Sequence, residues 1–157
     1  MIGYAGQTHV GCVGMKLLYP NNYIQHAGVV LGYGGLAGHI YVSQNADQIG
    51  LFGQLVSPVN FSAVTAACLM IDKTKFCGFD ENLAVALNDV DLCLNILSKG
   101  FYNVCLNNIE MMHYESKSRG YDASKEKHER YLSEQKYLKD KWGSKLDKDK
   151  FFSKYYF

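Results

Sequence analysis

The chain has 157 residues, 48% of them hydrophobic and 20% charged, with 15 Gly and only 2 Pro. Sixteen Lys and Arg against 15 Asp and Glu leave a formal net charge of +1. This composition suits one globular domain and excludes a collagen-like or disordered chain. The near-neutral total excludes general electrostatic attraction to nucleic acid or to acidic membranes. The charge is nevertheless uneven. Residues 1–110 hold four basic and seven acidic residues, a net −3, and residues 111–157 hold twelve and eight, a net +4. Such a basic C-terminal part can face an anionic ligand or simply form a solvated helix.

In chain order, Val10 to Leu18 is a β-rich run closed by the turn Tyr19-Pro20-Asn21-Asn22. Ile24 to Leu31 reads as a second strand, and the glycine-rich stretch Gly32 to Gly38 as a loop. No G-x-G-x-x-G leads from it into a helix, so it is not a phosphate-binding fingerprint. Thr65 to Ile71 is short and apolar and is predicted as a buried strand. Phe76 to Glu81 is a turn. A helix follows near Asn88, with Asn88 as N-cap, Asp91 in the capping-box position and Val90, Cys93, Leu94 and Leu97 as its apolar stripe. Gly100 ends it, and Tyr102 to Leu106 is predicted as a strand. Ser124 to Trp142 is a charged helix whose expected buried stripe is Tyr131, Leu138 and Trp142, with Gly143 as its stop. The order is a mixed β and α arrangement around a buried sheet.

The five cysteines (12, 68, 77, 93 and 105) are odd in number and contain no C-x-x-C, and Cys12, Cys68 and Cys105 lie in apolar runs, as small core residues do. A reducing compartment is expected. The N-terminus has no basic, apolar, small-residue leader pattern, and no run of 18 apolar residues exists to span a membrane.

Asp89 and Asp91 head one helix. Carboxylates there cap the helix and meet its dipole, worth roughly 0.3–1 kcal/mol each. Either could instead point into a cleft and take a proton from a hydroxyl nucleophile, or the two could bind a hard metal. His113 opens the run Met111-Met112-His113-Tyr114-Glu115-Ser116-Lys117-Ser118-Arg119-Gly120. Imidazole suits a metal, and Arg and hydroxyls suit phosphate oxygens. A lone histidine is also an ordinary structural residue. His26 and His39 flank the glycine-rich loop without a visible partner at ligand spacing, and His9 and His128 read as surface residues. No G-x-S-x-G, H-E-x-x-H or zinc-type cluster is present.

Taken in order, several blocks resemble bacterial family-two glycosyltransferases of the GT-A fold. They are Val10-Gly-Cys-Val-Gly-Met-Lys-Leu-Leu-Tyr-Pro, Ile24-Gln-His-Ala-Gly-Val-Val-Leu-Gly, Thr65-Ala-Ala-Cys-Leu-Met-Ile, Cys77-Gly-Phe-Asp-Glu, Leu87-Asn-Asp-Val-Asp-Leu-Cys-Leu and His113-Tyr-Glu-Ser-Lys-Ser-Arg-Gly. The resemblance covers about residues 5–125. It implies an α/β fold, the C-terminal part of a GT-A domain with a mixed sheet flanked by helices. The implied activity is inverting transfer of a sugar from a nucleotide-diphosphate donor to a hydroxyl, in polysaccharide or glycan assembly. By the same resemblance Asp89 is the general base, where the family carries Glu-Asp or Asp-Asp and this chain Asn88-Asp89. Asp91 supports the site, and the Gly78 turn borders acceptor and donor sugar. His113 matches the late metal ligand, while Ser116, Lys117 and Arg119 neutralise the leaving diphosphate.

The family's nucleotide-binding half, with its Asp-x-Asp, precedes these blocks and has no counterpart here. The expected organisation is therefore an acceptor-side half over residues 1–123 and a charged helix with an aromatic tail over 124–157. Mn or Mg is expected only together with the Asp-x-Asp half. The expected partners are a nucleotide-sugar donor, a glycan or lipid-linked acceptor, and either a second copy or the N-terminal half. The expected location is cytoplasmic, at the inner membrane face. The alternative reading is a non-catalytic, self-associating or partner-binding module derived from such a half, since a half-sheet leaves an edge and an apolar face to be covered.

Overall fold

The computed structural model describes residues 1–114, 125–153 and 155. It is α/β, with a curled mixed sheet flanked by helices. A short helix α1 (Ile2–Ala5) leads into β1 (Val10–Leu18), followed by β2 (Ile24–His26), β3 (Val29–Leu31), β4 (Ala37–His39) and β5 (Pro58–Phe61). Helix α2 (Asn88–Ser98), strand β6 (Tyr102–Met112) and helix α3 (Lys125–Trp142) complete it. The main sheet has the order β2-β1-β6-β5, with β1 and β6 parallel and the outer pairs antiparallel; β3 and β4 form a separate hairpin.

Every residue of β1 is buried, because the strand is covered on both faces. Cys12 and Cys105 face the main core with Leu92, Cys93 and Ile96 of α2, while Val13, Met15 and Leu17 join Val104 and Leu106 in a second cluster closed by Ala5. Gly11 and Gly14 allow this close packing: a Cβ on Gly14 would lie 2.7 Å from that of Val64, and one on Gly11 would overlap Ile96.

The β1–β6 register slips twice, and each slip is closed by a buried asparagine. Between Val10 and Val13, Asn103 Oδ1 accepts from the Cys12 N–H while its Nδ2 donates to the Ser62 and Cys93 carbonyls. Met15 faces Leu106 but Lys16 faces Glu110, so residues 107–109 bulge, and Asn107 Nδ2 ties that bulge to the Ala27 and Gln54 carbonyls. Lys16 itself is buried. Its ammonium pairs with Glu110 at 2.6 Å and donates to the Leu55 and Ala46 carbonyls, which satisfies an otherwise costly charge.

Four expectations about strands and loops change. The strand predicted from Ile24 to Leu31 breaks at Ala27-Gly28, where Gly28 has φ +125°, and its two parts join different sheets. Ala37–His39, part of the predicted loop, is the returning strand of the hairpin. Thr65 to Ile71 is a 3-10 turn at Ala66–Cys68 followed by one bridge from Met70 to Val13, because Thr65 Oγ1 accepts from the Ala67 N–H and curls the chain. β6 runs on to Met112 rather than ending at Leu106.

Helix α2 starts at Asn88, but the N-cap position is Leu87, in the left-handed region at φ 62°, with no side-chain cap. Asp91 is thus not a capping residue. Gly100, at φ +90°, ends the helix as expected. On α3, Leu138 is fully buried and Trp142 half-buried, but Tyr131 is exposed, and the inward face is mostly polar: Glu134, Tyr137, Leu138 and Lys141. Among the described residues no helix is long and apolar enough to cross a membrane. All five cysteines are free; Cys12, Cys93 and Cys105 are buried.

Candidate functional site

Asp89 stands half-buried in the first turn of α2. Its Oδ1 accepts from the Val90 N–H at 2.9 Å and its Oδ2 from the Ala66 N–H at 3.0 Å. Two bonds fix the carboxylate and leave lone pairs for a further donor.

The turn that supplies the Ala66 amide also supplies its neighbour. The Thr65 N–H donates to His26 Nε2 at 3.4 Å. One turn therefore ties Asp89 to a histidine cluster that no single stretch of sequence contains. His26, fully buried, has its Nδ1 3.2 Å from His39 Nδ1, the rings meeting edge-on. His113 Nδ1 lies 2.8 Å from Gln25 Oε1. These groups, with Thr65 and Val42, line a cavity of about 220 Å³.

The hydrogen bonds assign the protons. A backbone N–H can only donate, so His26 Nε2 bears the lone pair and the His26 proton sits on Nδ1. That proton goes to His39 Nδ1, which leaves the His39 proton on Nε2. The Gln25 carbonyl, 3.3 Å from His39 Nδ1, receives a proton from that atom only when His39 is charged. Burial, reinforced by His39, holds His26 well below the ordinary imidazole range. A carboxamide oxygen can only accept, so His113 donates from Nδ1, and the neutral ring keeps its lone pair on Nε2.

Asp91 is differently placed. It is buried, accepts from Trp142 Nε1 at 2.7 Å and from Asn95 Nδ2 at 3.0 Å, and pairs with Lys141 at 2.9 Å. Lys141 also reaches Asp80 at 2.7 Å, and Tyr137 donates to the same Asp80 oxygen at 2.9 Å. The Lys141 bond, followed by those from Asn82 and Tyr137, holds the Asp80 carboxyl far below its usual range. The Glu134 carboxylate accepts from the Val85 and Ala86 amides. Helix α3 thus anchors the whole approach to α2.

Gly78 lies in the irregular loop before this approach, at φ +85°, with open space where a Cβ would be. Ser116, Lys117 and Arg119 lie outside the described residues. His9 and His128 are exposed, as expected. The histidine pair was missed in sequence because its members sit 13 residues apart on different strands; the one available signal was a histidine closing each strand beside the glycine-rich turn. A larger cavity, about 830 Å³, lies against the C-terminal tail near Gly32 and Lys148–Phe152 and holds none of the candidate residues.

A curated protein of Sinorhizobium fredii, "Uncharacterized protein y4gI", is 44% identical over 146 residues, covering 90% of this chain and 16% of that protein. "O-antigen biosynthesis protein RfbC" of Myxococcus xanthus is 38% identical over 127 residues, covering 78% of this chain and 10% of that protein. The chain thus spans a sixth or less of the length of these relatives. No family model and no solved structure matches.

Proposed function

We propose that this chain is the acceptor-side part, residues 1–123 with a supporting C-terminal helix, of an inverting GT-A glycosyltransferase of family two, acting in polysaccharide assembly. The observation that carries the reading is Asp89: a carboxylate fixed at a helix start by two amides, one of them from the turn whose Thr65 and Ala67 line the cavity. The printed name of the Myxococcus relative, an O-antigen biosynthesis protein, supports the polysaccharide theme.

Asp89 takes the proton of the acceptor hydroxyl as its oxygen attacks the anomeric carbon. The new C–O bond forms on the face opposite the leaving group, so configuration inverts. The bond to the diphosphate breaks, and the diphosphate departs with the electron pair. Ser116, Lys117 and Arg119 offset its charge. Lys141, Trp142 and Asp91 keep α2, and with it Asp89, in register.

A divalent metal would meet His113 Nε2, whose tautomer the Gln25 bond sets as second-shell bonds do. It would help neutralise the diphosphate when bound. Among the described residues no group of three His, Cys, Asp or Glu can hold one, so the remaining ligands fall to an Asp-x-Asp half. A nucleotide-sugar donor, a glycan or lipid-linked acceptor and a place at the cytoplasmic membrane face complete this reading.

The test is sugar transfer from a panel of nucleotide-diphospho-sugars, by the chain alone and joined to a nucleotide-binding half. Asp89→Asn abolishes transfer; retained turnover moves the base elsewhere. A second reading, a self-associating or partner-binding module, draws on the exposed Ile109, Met111 and Met112 at the end of β6. A stable dimer by light scattering that ignores every nucleotide sugar would favour it.

A further inference from the structure

We propose that His26 is a positioning residue: its Nε2 holds, through the Thr65 amide, the turn whose next amide aims the Asp89 carboxylate. The inference rests on the transferase reading above, in which Asp89 is the base, and adds a residue that acts through that base.

The turn hangs on two consecutive amides. Thr65 is extended, at φ −72° and ψ 141°. Along extended backbone, successive groups point to opposite sides. The Thr65 N–H therefore goes one way, to His26 Nε2 at 3.4 Å, and the Ala66 N–H the other, to Asp89 Oδ2 at 3.0 Å. The next two amides bond inward, Ala67 to Thr65 Oγ1 and Cys68 to the Thr65 carbonyl. On either side the chain is tied elsewhere, by the Val64 amide to Cys93 Sγ and by the bridge from Met70 to Val13. Among the described residues, His26 and Asp89 thus set the orientation of the turn between those ties.

His26 is built as a fixed acceptor. It is fully buried on β2, opposite Leu17 of β1. Its Nδ1 is engaged by His39 of the hairpin at 3.2 Å, which pins the ring and leaves the lone pair on Nε2. Cys105 Sγ lies 3.9 Å from that Nε2, but its thiol donates to Asn107 Oδ1 at 3.1 Å, so the lone pair serves the Thr65 amide.

The carboxylate has no equal tie of its own. Its other bond is to the amide of its neighbour Val90, within α2. The Ala66 amide is its described link to the body of the sheet. Without the imidazole acceptor the turn pivots about the Ala66 bond, and Asp89 loses its fixed aim. Displacing a reacting group by about 1 Å can cost roughly 10²-fold in rate.

Two substitutions separate the two ring nitrogens. His26→Gln carries its amide where Nε2 lies and still accepts from the Thr65 N–H. His26→Asn carries its amide where Nδ1 lies, so it donates to His39 and leaves Thr65 without an acceptor. Hydrogen exchange of the Thr65 and Ala66 amides is read by NMR, and transfer is read with the nucleotide-binding half joined. In His26→Asn both amides are expected to exchange about 3- to 10-fold faster, the effect of losing one hydrogen bond. Its kcat is expected to fall about 10- to 100-fold with the KM for nucleotide sugar unmoved. His26→Gln keeps the parent values. Equal behaviour of the two variants overturns the proposal, because a packing role does not distinguish the nitrogens.

Coupling is reciprocal. Asp89→Ala, which leaves the buried histidine in place, is therefore expected to speed exchange at Thr65 by about the same factor, and an unmoved Thr65 amide overturns the proposal. The two readings fail separately. The exchange pattern with no transfer by any protein removes the transferase reading and keeps the strut; Asp89-dependent transfer that is equal in His26→Gln and His26→Asn does the reverse.

Discussion

Trp142 Nε1 donates to Asp91 Oδ1 across 2.7 Å, so the last residue of α3 grips the first turn of α2. The carboxylate it grips is 2% exposed and has Lys141 as counter-charge. A buried charge keeps its place only while its partners remain. Removing one partner of a fully buried pair costs about 3–5 kcal/mol, and this pair falls short of that because Lys141 is 30% exposed. Lys141→Met is therefore expected to be destabilising by less than that, and Trp142→Phe, which deletes the N–H and the fused five-membered ring, to cost about 1–3 kcal/mol for the hydrogen bond and more for the lost packing. Urea unfolding of the two variants checks this. A Trp142→Phe midpoint equal to the parent's would mean that water replaces the indole.

Asp89 is the opposite case, a half-buried carboxylate at the surface end of the same helix. Asp89→Asn retains one oxygen to accept from an amide and sets its NH2 against the other, so the fold is expected to survive with a loss of about 1–2 kcal/mol. Transfer is expected to fall by about 10²–10⁴-fold, the usual contribution of a general base. The effect should lie in kcat and leave nucleotide-sugar affinity in place. That loss of stability with transfer retained would return Asp89 to a purely structural role, holding the Thr65–Cys68 turn.

The histidine pair predicts the acid limb of stability. Unfolded, His26 takes a proton near its ordinary value of 6.5; folded, burial and then His39 hold it well below that. Below pH 6.5 the unfolded state therefore binds more protons, and stability falls with falling pH, by at most about 1.4 kcal/mol per pH unit for this one site. Above about pH 8 the contribution of His26 to the slope vanishes. Unfolding midpoints at pH 7.5 and 5.5 test this, with His26→Gln expected to flatten the difference. An unchanged slope in that variant would assign the acid limb to other groups. Asp80, depressed first by Lys141, acts lower still, its stabilisation fading only as pH falls beneath the carboxylate range.

Elements with one dominant period were legible. β1, α2 and α3 begin or end within a residue or two of their expected bounds, because Pro20, Gly100 and Gly143 punctuate them. Thr65 to Ile71 misled, because an apolar run says nothing of a threonine hydroxyl that curls its own backbone. β5 gave no signal: it is a four-residue edge strand opening on Pro58, and its register is set by the asparagine-closed sheet. Asp89 was readable from its helix and from the resemblance. The histidine pocket was not, since it exists only once β2, the hairpin and the end of β6 meet. Asp91 was misplaced for the same reason, its partners lying some 50 residues downstream.

Gly14 offers a test that joins packing to chemistry. A Cβ there would lie 2.7 Å from Val64 Cβ, inside a fully buried layer. Val64 must shift, and the next residue is Thr65, whose turn carries the amides that hold both His26 and Asp89. Gly14→Ala is therefore expected to cost about 1–3 kcal/mol by overpacking. It is also expected to speed exchange of the Thr65 and Ala66 amides and to weaken transfer, although the residue touches neither side chain. Gly3→Ala, which meets nothing within 4 Å, is the matched control and should leave all three unchanged. Unfolding, amide exchange and transfer assays on the two variants decide it. Parent-like exchange and transfer in a folded but destabilised Gly14→Ala protein would show that the turn is held independently of the strand beneath it, and the link between histidine and carboxylate would have to be sought in α2 alone.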